Sequence, residues 1–159
     1  MTSPSMLDIV VVAHNSADVL PACLDSLIEE GLPSGVTLSV WDNASTDSSQ
    51  RVAEVRGCEV ISSETNIGFA AASNAAARRT SGSFVMFVNP DCLAPYGFVN
   101  SLVTLLRDRP SLGLAAPRIE NPDGTTQQAT RASRLRPRRS ATRWWAATVG
   151  TWAQPRRPT

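Results

Sequence analysis

The chain has 159 residues, a formal net charge of +1 and 42% hydrophobic residues. That is room for one domain able to bury roughly two thirds of its unfolded surface. No apolar run is long enough to span a bilayer, and Met1–Met6 is polar, so no leader is expected and the expected location is the cytoplasm, at most peripheral to the inner face of the membrane. Cys23, Cys58 and Cys92 are too few and too scattered for a disulfide framework or a metal knuckle, and read as small buried hydrophobes. The net charge hides an asymmetry. All 14 acidic residues lie at or before Asp123 with 7 of the 15 arginines, which leaves 1–130 at −7, whereas 131–159 holds 8 arginines and no acid. There is no lysine.

In chain order the pattern alternates strand and helix, which predicts an α/β domain with a mainly parallel sheet flanked by helices. Leu7–Ala13 is a β-branched apolar run suited to a central strand buried on both faces. Ser16 is the expected N-cap of a helix whose stripe is Leu20, Cys23, Leu24, Leu27 and Ile28, stopped by Gly31 and Pro33. Val36–Trp41 predicts a second strand, running into Asp42-Asn43. Ser45 or Thr46 is expected to cap a short helix to about Val55, closed by Gly57. Glu59–Ser62 predicts a third strand, Asn66-Ile67-Gly68-Phe69 a turn, and an alanine-rich helix follows to about Arg79. Phe84–Val88 predicts a fourth strand. A helix with Phe98, Val99, Leu102, Val103, Leu105 and Leu106 inward stops before Pro110, Leu112–Ala116 predicts a fifth strand, and Asn121-Pro122-Asp123-Gly124 a hairpin turn. Beyond about Thr130 the periodicity disappears.

Ligands of open parallel sheets bind at the carboxyl ends of the strands. Three polar clusters fall at such ends: His14-Asn15, Asp42-Asn43 and Asn89-Pro90-Asp91. Asp42, at the end of a buried strand, can accept hydrogen bonds from a ribose or base, or can simply cap the next helix. Pro90 stops a strand and presents Asn89 and Asp91 at the rim. A single carboxylate there suits a hard cation bound together with a diphosphate, while an ordinary strand-ending turn explains the same residues. Gly68 can take positive φ and admit a ligand close to the backbone, and the small-residue helix after it can approach a ligand or the sheet. The first loop lacks the G-x-G-x-x-G of a dinucleotide site, and without lysine there is no P-loop.

The segments LDIVVVAHNSADVLPACLDSL, WDNASTDSS, NIGFAAASNAAARRTSG and FVMFVNPDC, in this order and followed by PRIENPDGTTQQATR, closely resemble family 2 glycosyltransferases of GT-A type, especially the rhamnosyltransferase-like branch. The resemblance covers about 7–131. It implies that Asp42 and Asn43, with Asn15, His14 and the backbone at Ala13, line the nucleotide pocket, and that Asn66, Gly68 and Phe69 border the donor. It implies further that Asn89 and Asp91 stand for the D-x-D motif, Asp91 meeting Mg²⁺ or Mn²⁺ and the diphosphate. The implied reaction is inverting transfer of a sugar from a nucleotide-diphospho-sugar donor to a glycan or lipid-linked acceptor, in polysaccharide synthesis.

Two departures qualify the resemblance. His14 stands where an aromatic residue is common, and its ring can stack on a base in the same way. No Asp or Glu follows Asp123, so the general base expected in the later half is absent, no catalytic residue is assigned, and the alternative is an inactive nucleotide-sugar-binding module. The expected division is a donor-binding part over 1–130 and a basic tail over 131–159. Three readings of the tail stand: an out-of-frame translation, a disordered extension, or an arm whose arginines and Trp144, Trp145 and Trp152 make weak contact with an anionic membrane surface. No nucleic-acid partner is expected.

Overall fold

The computed structural model describes residues 5–29, 31–121, 123–127 and 144–147. Its elements are β1 (Leu7–Ala13), α1 (Leu20–Ile28), β2 (Val36–Asp42), α2 (Ser49–Glu54), β3 (Glu59–Ser62), α3 (Phe69–Arg79), β4 (Phe84–Val88), α4 (Phe98–Asp108) and β5 (Trp144–Ala147). The strands form one sheet in the order β3-β2-β1-β4-β5, with every pairing parallel. β1 is central, and each of its seven residues is buried. That follows from a run with no polar alternation, which has a core on both faces.

Alternation along β1 divides those two cores. Leu7, Ile9, Val11 and Ala13 pack with Leu20, Cys23, Leu24 and Leu27 of α1 and with Val99, Leu102, Val103 and Leu106 of α4. Val10 and Val12 face the other way, with Trp41, Val85 and Phe87, against Ala72, Ala76 and Ala77 of α3. The small side chains of α3 let it lie close on the sheet, and the strongly one-sided α4 buries only its apolar stripe. Asp8 enters the α3 side near the amino end of β1. Its carboxylate accepts from Thr37 Oγ1 at 2.7 Å, from the Gly82 N–H at 2.7 Å and from Ser5 Oγ. A Cβ on Gly82 would meet Asp8 Oδ2 at 2.8 Å, so this approach requires glycine.

The expected strands at Leu7–Ala13, Glu59–Ser62 and Phe84–Val88 and the helix ending at Arg79 are found at those bounds. Five local expectations are corrected. Leu112–Ala116 is not a strand: the run is short, contains Gly113, leaves Leu114 half exposed, and the place beside β4 is taken by β5. β5 itself lies in the stretch where no strand was expected. Helix α1 begins at Leu20 with Val19 at its N-cap and no side-chain cap, because Ser16 Oγ donates to the His14 carbonyl. The N-cap of α2 is Ser48, since Ser45 and Thr46 are committed to the neighbouring loop described below. On α4, Leu105 faces outward rather than into the core. At the expected turn, whose Pro122 lies outside the described residues, the Gly124 N–H donates to the Asn121 carbonyl and Glu120 bridges to Thr126.

Candidate functional site

Parallel register sets the site. Ala13 is opposite Asp42, and Val11 is opposite Val88, so Asn89 and Asp91 lie just beyond β4 at about the level where β1 and β2 end. His14-Asn15, Asp42-Asn43 and Asn89-Asp91 are thus brought to one end of three adjacent strands, as ligand sites in such sheets require. Asn66, Gly68 and Phe69 join them through Asn43.

Asp42 is fully buried, yet its carboxylate is only partly satisfied. Oδ2 accepts from Gln50 Nε2 at 2.8 Å and from the Ser45 N–H at 3.1 Å. Oδ1 has no hydrogen-bond partner among the described residues. A buried carboxylate oxygen without a donor costs free energy, and sites that keep one are places where a ligand can supply the donor. The bond from the Ser45 N–H gives Oδ2 a local, cap-like role. Asp42 is enclosed, and the residues that follow it lead into the β2–α2 loop. Two non-glycine residues with positive φ mark that loop and its neighbour, Ala44 at 62° and Asn15 at 48°.

Asn43 is spent on holding the third loop. Its Nδ2 donates to Asn66 Oδ1 at 2.8 Å, and its Oδ1 accepts from the Ile67 N–H at 3.1 Å. Asn66 Oδ1 also accepts from the Gly68 N–H at 2.9 Å. Gly68, at φ 79° and ψ 157°, occupies a region open essentially to glycine alone and turns the chain into α3. Phe69 stays 43% exposed, so its ring is available at the rim. The Ala13 carbonyl accepts from the Asn43 N–H at 2.8 Å, which ties the ends of β1 and β2. His14 is exposed, with Nδ1 3.0 Å from the Asn43 carbonyl. A carbonyl oxygen only accepts, so Nδ1 is the donor in that contact.

Sequence reasoning missed the framework beneath these residues. The Asn15 N–H donates to Ser45 Oγ at 2.9 Å, and Asn15 Oδ1 accepts from the Thr46 N–H at 2.8 Å. The Ser16 N–H donates to Ser49 Oγ at 2.8 Å, and the Ala17 N–H to Asp47 Oδ2 at 2.9 Å. The Ser-Thr-Asp-Ser-Ser run straps the β1–α1 loop to the β2–α2 loop. Its density of short polar side chains was the signal, and it was assigned to helix capping alone.

Asn89 and Asp91 are half-buried. The Asn89 carbonyl accepts from the Cys92 N–H at 3.1 Å and from Cys23 Sγ at 3.5 Å. Burial, with Cys92 and then Asp91 adding negative charge nearby, pushes the Cys23 thiol up to about 12. Burial and then Asp91 push Cys92 up to about 11. Both are thiols packed in the interior, as expected. Among the described residues no group of three His, Cys, Asp or Glu could hold a metal. The donor set at β4 is one carboxylate and one amide. It fits a cation held mainly by diphosphate oxygens and does not fit an ion caged by protein. Beside Asp91, a 590 Å³ cleft lined by Met86, Val88, Cys92, Leu93, Phe98 and Ile119, among others, runs along the α4 side.

The sequence profile of the family described as glycosyl transferase family 2 matches residues 8–153. The chain belongs to that family. Its members are nucleotide-sugar-dependent transferases. The fold is that of GT-A transferases. A structure of S. aureus TarS 1-349 in complex with UDP-GlcNAc is similar at a TM-score of 0.69 and 22% identity, over 77% of this chain and 37% of that one. M. tuberculosis glucosyl-3-phosphoglycerate synthase, in a complex with Mn²⁺, UDP and glucosyl-3-phosphoglycerate, is similar at 0.60 and 27% identity, over 70% of this chain and 43% of that one. The chain spans less than half the length of the structures it matches. No curated protein matches it.

Proposed function

We propose that this family 2 domain binds a nucleoside diphosphate sugar across the carboxyl ends of β1, β2 and β4. The buried Asp42, with one oxygen unpartnered at the level of Asn89 and Asp91, is the observation that carries this reading. Asp42 receives an N–H or O–H of the base or ribose once its loop yields. His14 and Phe69 offer rings for stacking, and the Gly68 turn admits the donor near the backbone. Asp91, with Asn89, holds Mg²⁺ or Mn²⁺ jointly with the diphosphate. When bound, that ion neutralises charge developing on the leaving diphosphate. The reaction of the lineage is inverting sugar transfer, of hexosyl or rhamnosyl type, to a glycan or lipid-linked acceptor, at or near the inner face of the membrane. The apolar cleft beside Asp91 supports a lipid-linked acceptor.

A second reading has its own observation. No acidic residue follows Asp123 in these 159 residues. The second proposal is that the site as described binds donor and supplies no proton acceptor for transfer.

Titration calorimetry with UDP tests the site. UDP is the first probe because the similar structures contain it. Binding is expected to strengthen with Mn²⁺, and Asp91→Ala is expected to remove that strengthening. Asp42→Ala is expected to weaken binding about 10- to 100-fold, the value of a hydrogen bond to a charged group. If UDP, GDP and dTDP all fail to bind, or if Asp91→Ala keeps the Mn²⁺ effect, the assignment is wrong. Release of free sugar or transfer to water, assayed with UDP-sugars, separates the two readings.

A further inference from the structure

Gln50 is the second residue of α2 and lies just past the Ser-Thr-Asp-Ser-Ser run. Nothing in the sequence singles it out. Its amide donates from Nε2 to Asp42 Oδ2 at 2.8 Å. A carboxylate can only accept, so the amide nitrogen is the atom that faces it. The other bond to Oδ2 comes from the Ser45 backbone, in the loop beside the strained Ala44. Gln50 is therefore the one side chain, among the described residues, that fixes the rotation of the Asp42 carboxylate from a regular element. Helix α2 supports it: Ser49 and Ala53 of that helix are buried, and Ser49 Oγ accepts from the Ser16 N–H.

We infer that Gln50 is a positioning residue for donor binding: by occupying Oδ2 with a neutral donor it fixes the rotation of the Asp42 carboxylate and aims Oδ1 at the nucleotide. This rests on the reading of Asp42 given above. The neutrality of the amide matters as much as its bond. A second carboxylate at this place would lie within hydrogen-bond distance of Asp42, and two such groups cannot both ionise without repulsion. They would share a proton, and the introduced carboxyl would donate to Oδ2, as the amide does, only while that proton is present.

The test uses the full chain and UDP with Mn²⁺, measuring the ratio of variant to wild-type dissociation constants from pH 5.5 to 8.5. Taking the ratio cancels the ionisation of the nucleotide. It also cancels His14, Asp18, Asp47 and the Arg51–Glu54 pair, which are the same in both proteins. Gln50→Met keeps the length and removes the donor. It is expected to weaken UDP binding about 3- to 10-fold at every pH, in line with one lost hydrogen bond. Gln50→Glu is expected to bind within about 3-fold of wild type at pH 5.5 and progressively worse as pH rises, because the shared proton is lost. A purely structural Gln50 would lower the melting temperature of Gln50→Met without moving the affinity ratio, and would give Gln50→Glu a flat ratio. Either result overturns the inference. If instead Asp42→Ala binds UDP as wild type does, the reading of Asp42 has failed and the inference goes with it. If Asp42→Ala loses binding while both Gln50 variants keep it, only the inference has failed.

Discussion

Asp8 sits at the amino end of β1 and Asp42 at the carboxyl end of β2, and the two buried carboxylates differ in what surrounds them. Burial alone would raise the Asp8 carboxyl, but hydrogen bonds from Ser5, Thr37 and the Gly82 and Ser81 backbone outweigh it and hold the group below its ordinary value of 3.8. A depressed carboxyl stabilises the fold above its unfolded value, and that stabilisation is lost as pH falls through the folded value. Asp8→Ala should therefore lose about 1–3 kcal/mol at neutral pH in urea denaturation, since the Gly82 N–H is left buried without its acceptor. The difference between wild type and variant should shrink below pH 4. An equal difference at pH 3 and pH 7 would contradict this. Asp42 has no such complement of donors, and that shortage is what supports the ligand role proposed for it. From sequence the two could be told apart only by position in the strand. The site residue whose role was least legible is Asn43, grouped with the donor pocket but occupied by Asn66 and Ile67. Nothing in the letters Asp-Asn reveals that the second side chain turns toward the next loop.

At the scale of elements, what was legible was what one segment decides alone. β1, β3, β4 and α3 have bounds fixed by local runs: an apolar β-branched stretch, or an alanine-rich stretch between Gly68 and Thr80. Misreadings came where a neighbour decides. Leu112–Ala116 has strand composition but no strand partner among the described residues, where β5 pairs with β4 over Phe84–Phe87. Ser16, Ser45 and Thr46 look like caps, and they serve as straps because the parallel register brings two loops side by side. β5 was illegible, as four residues in an arginine-rich stretch without periodicity. If its pairing supports the sheet, a chain ending at 130 should lose about 1–3 kcal/mol, taking about 0.2–1 kcal/mol per cross-strand pair. It should also self-associate through the opened edge of β4. Urea denaturation and sedimentation check both. Unchanged stability and a monomer would show that the tail adds nothing to the domain, as the out-of-frame and disordered readings of 131–159 require.

For the whole molecule, the sheet order decides which loops meet. β1 lies between β2 and β4, so the first loop is flanked by the other two polar clusters, and one end of the sheet collects residues far apart in the chain. That convergence was readable as a rule about parallel sheets. The straps, the enclosed state of Asp42 and the Gln50 contact were not, because each depends on distances of a few ångströms between segments. We expect a nucleoside diphosphate to occupy this end and no other surface. At 17.0 kDa the chain suits amide chemical-shift mapping during titration with UDP and Mg²⁺. The shifts should concentrate at Ala13–Asn15, Asp42–Ala44, Asn66–Phe69 and Asn89–Asp91, including the Asp42 amide although its side chain starts enclosed. Shifts gathered instead at the opposite end of the strands, around Asp8, Thr37 and Ser81, or no shifts with any nucleoside diphosphate, would contradict the account.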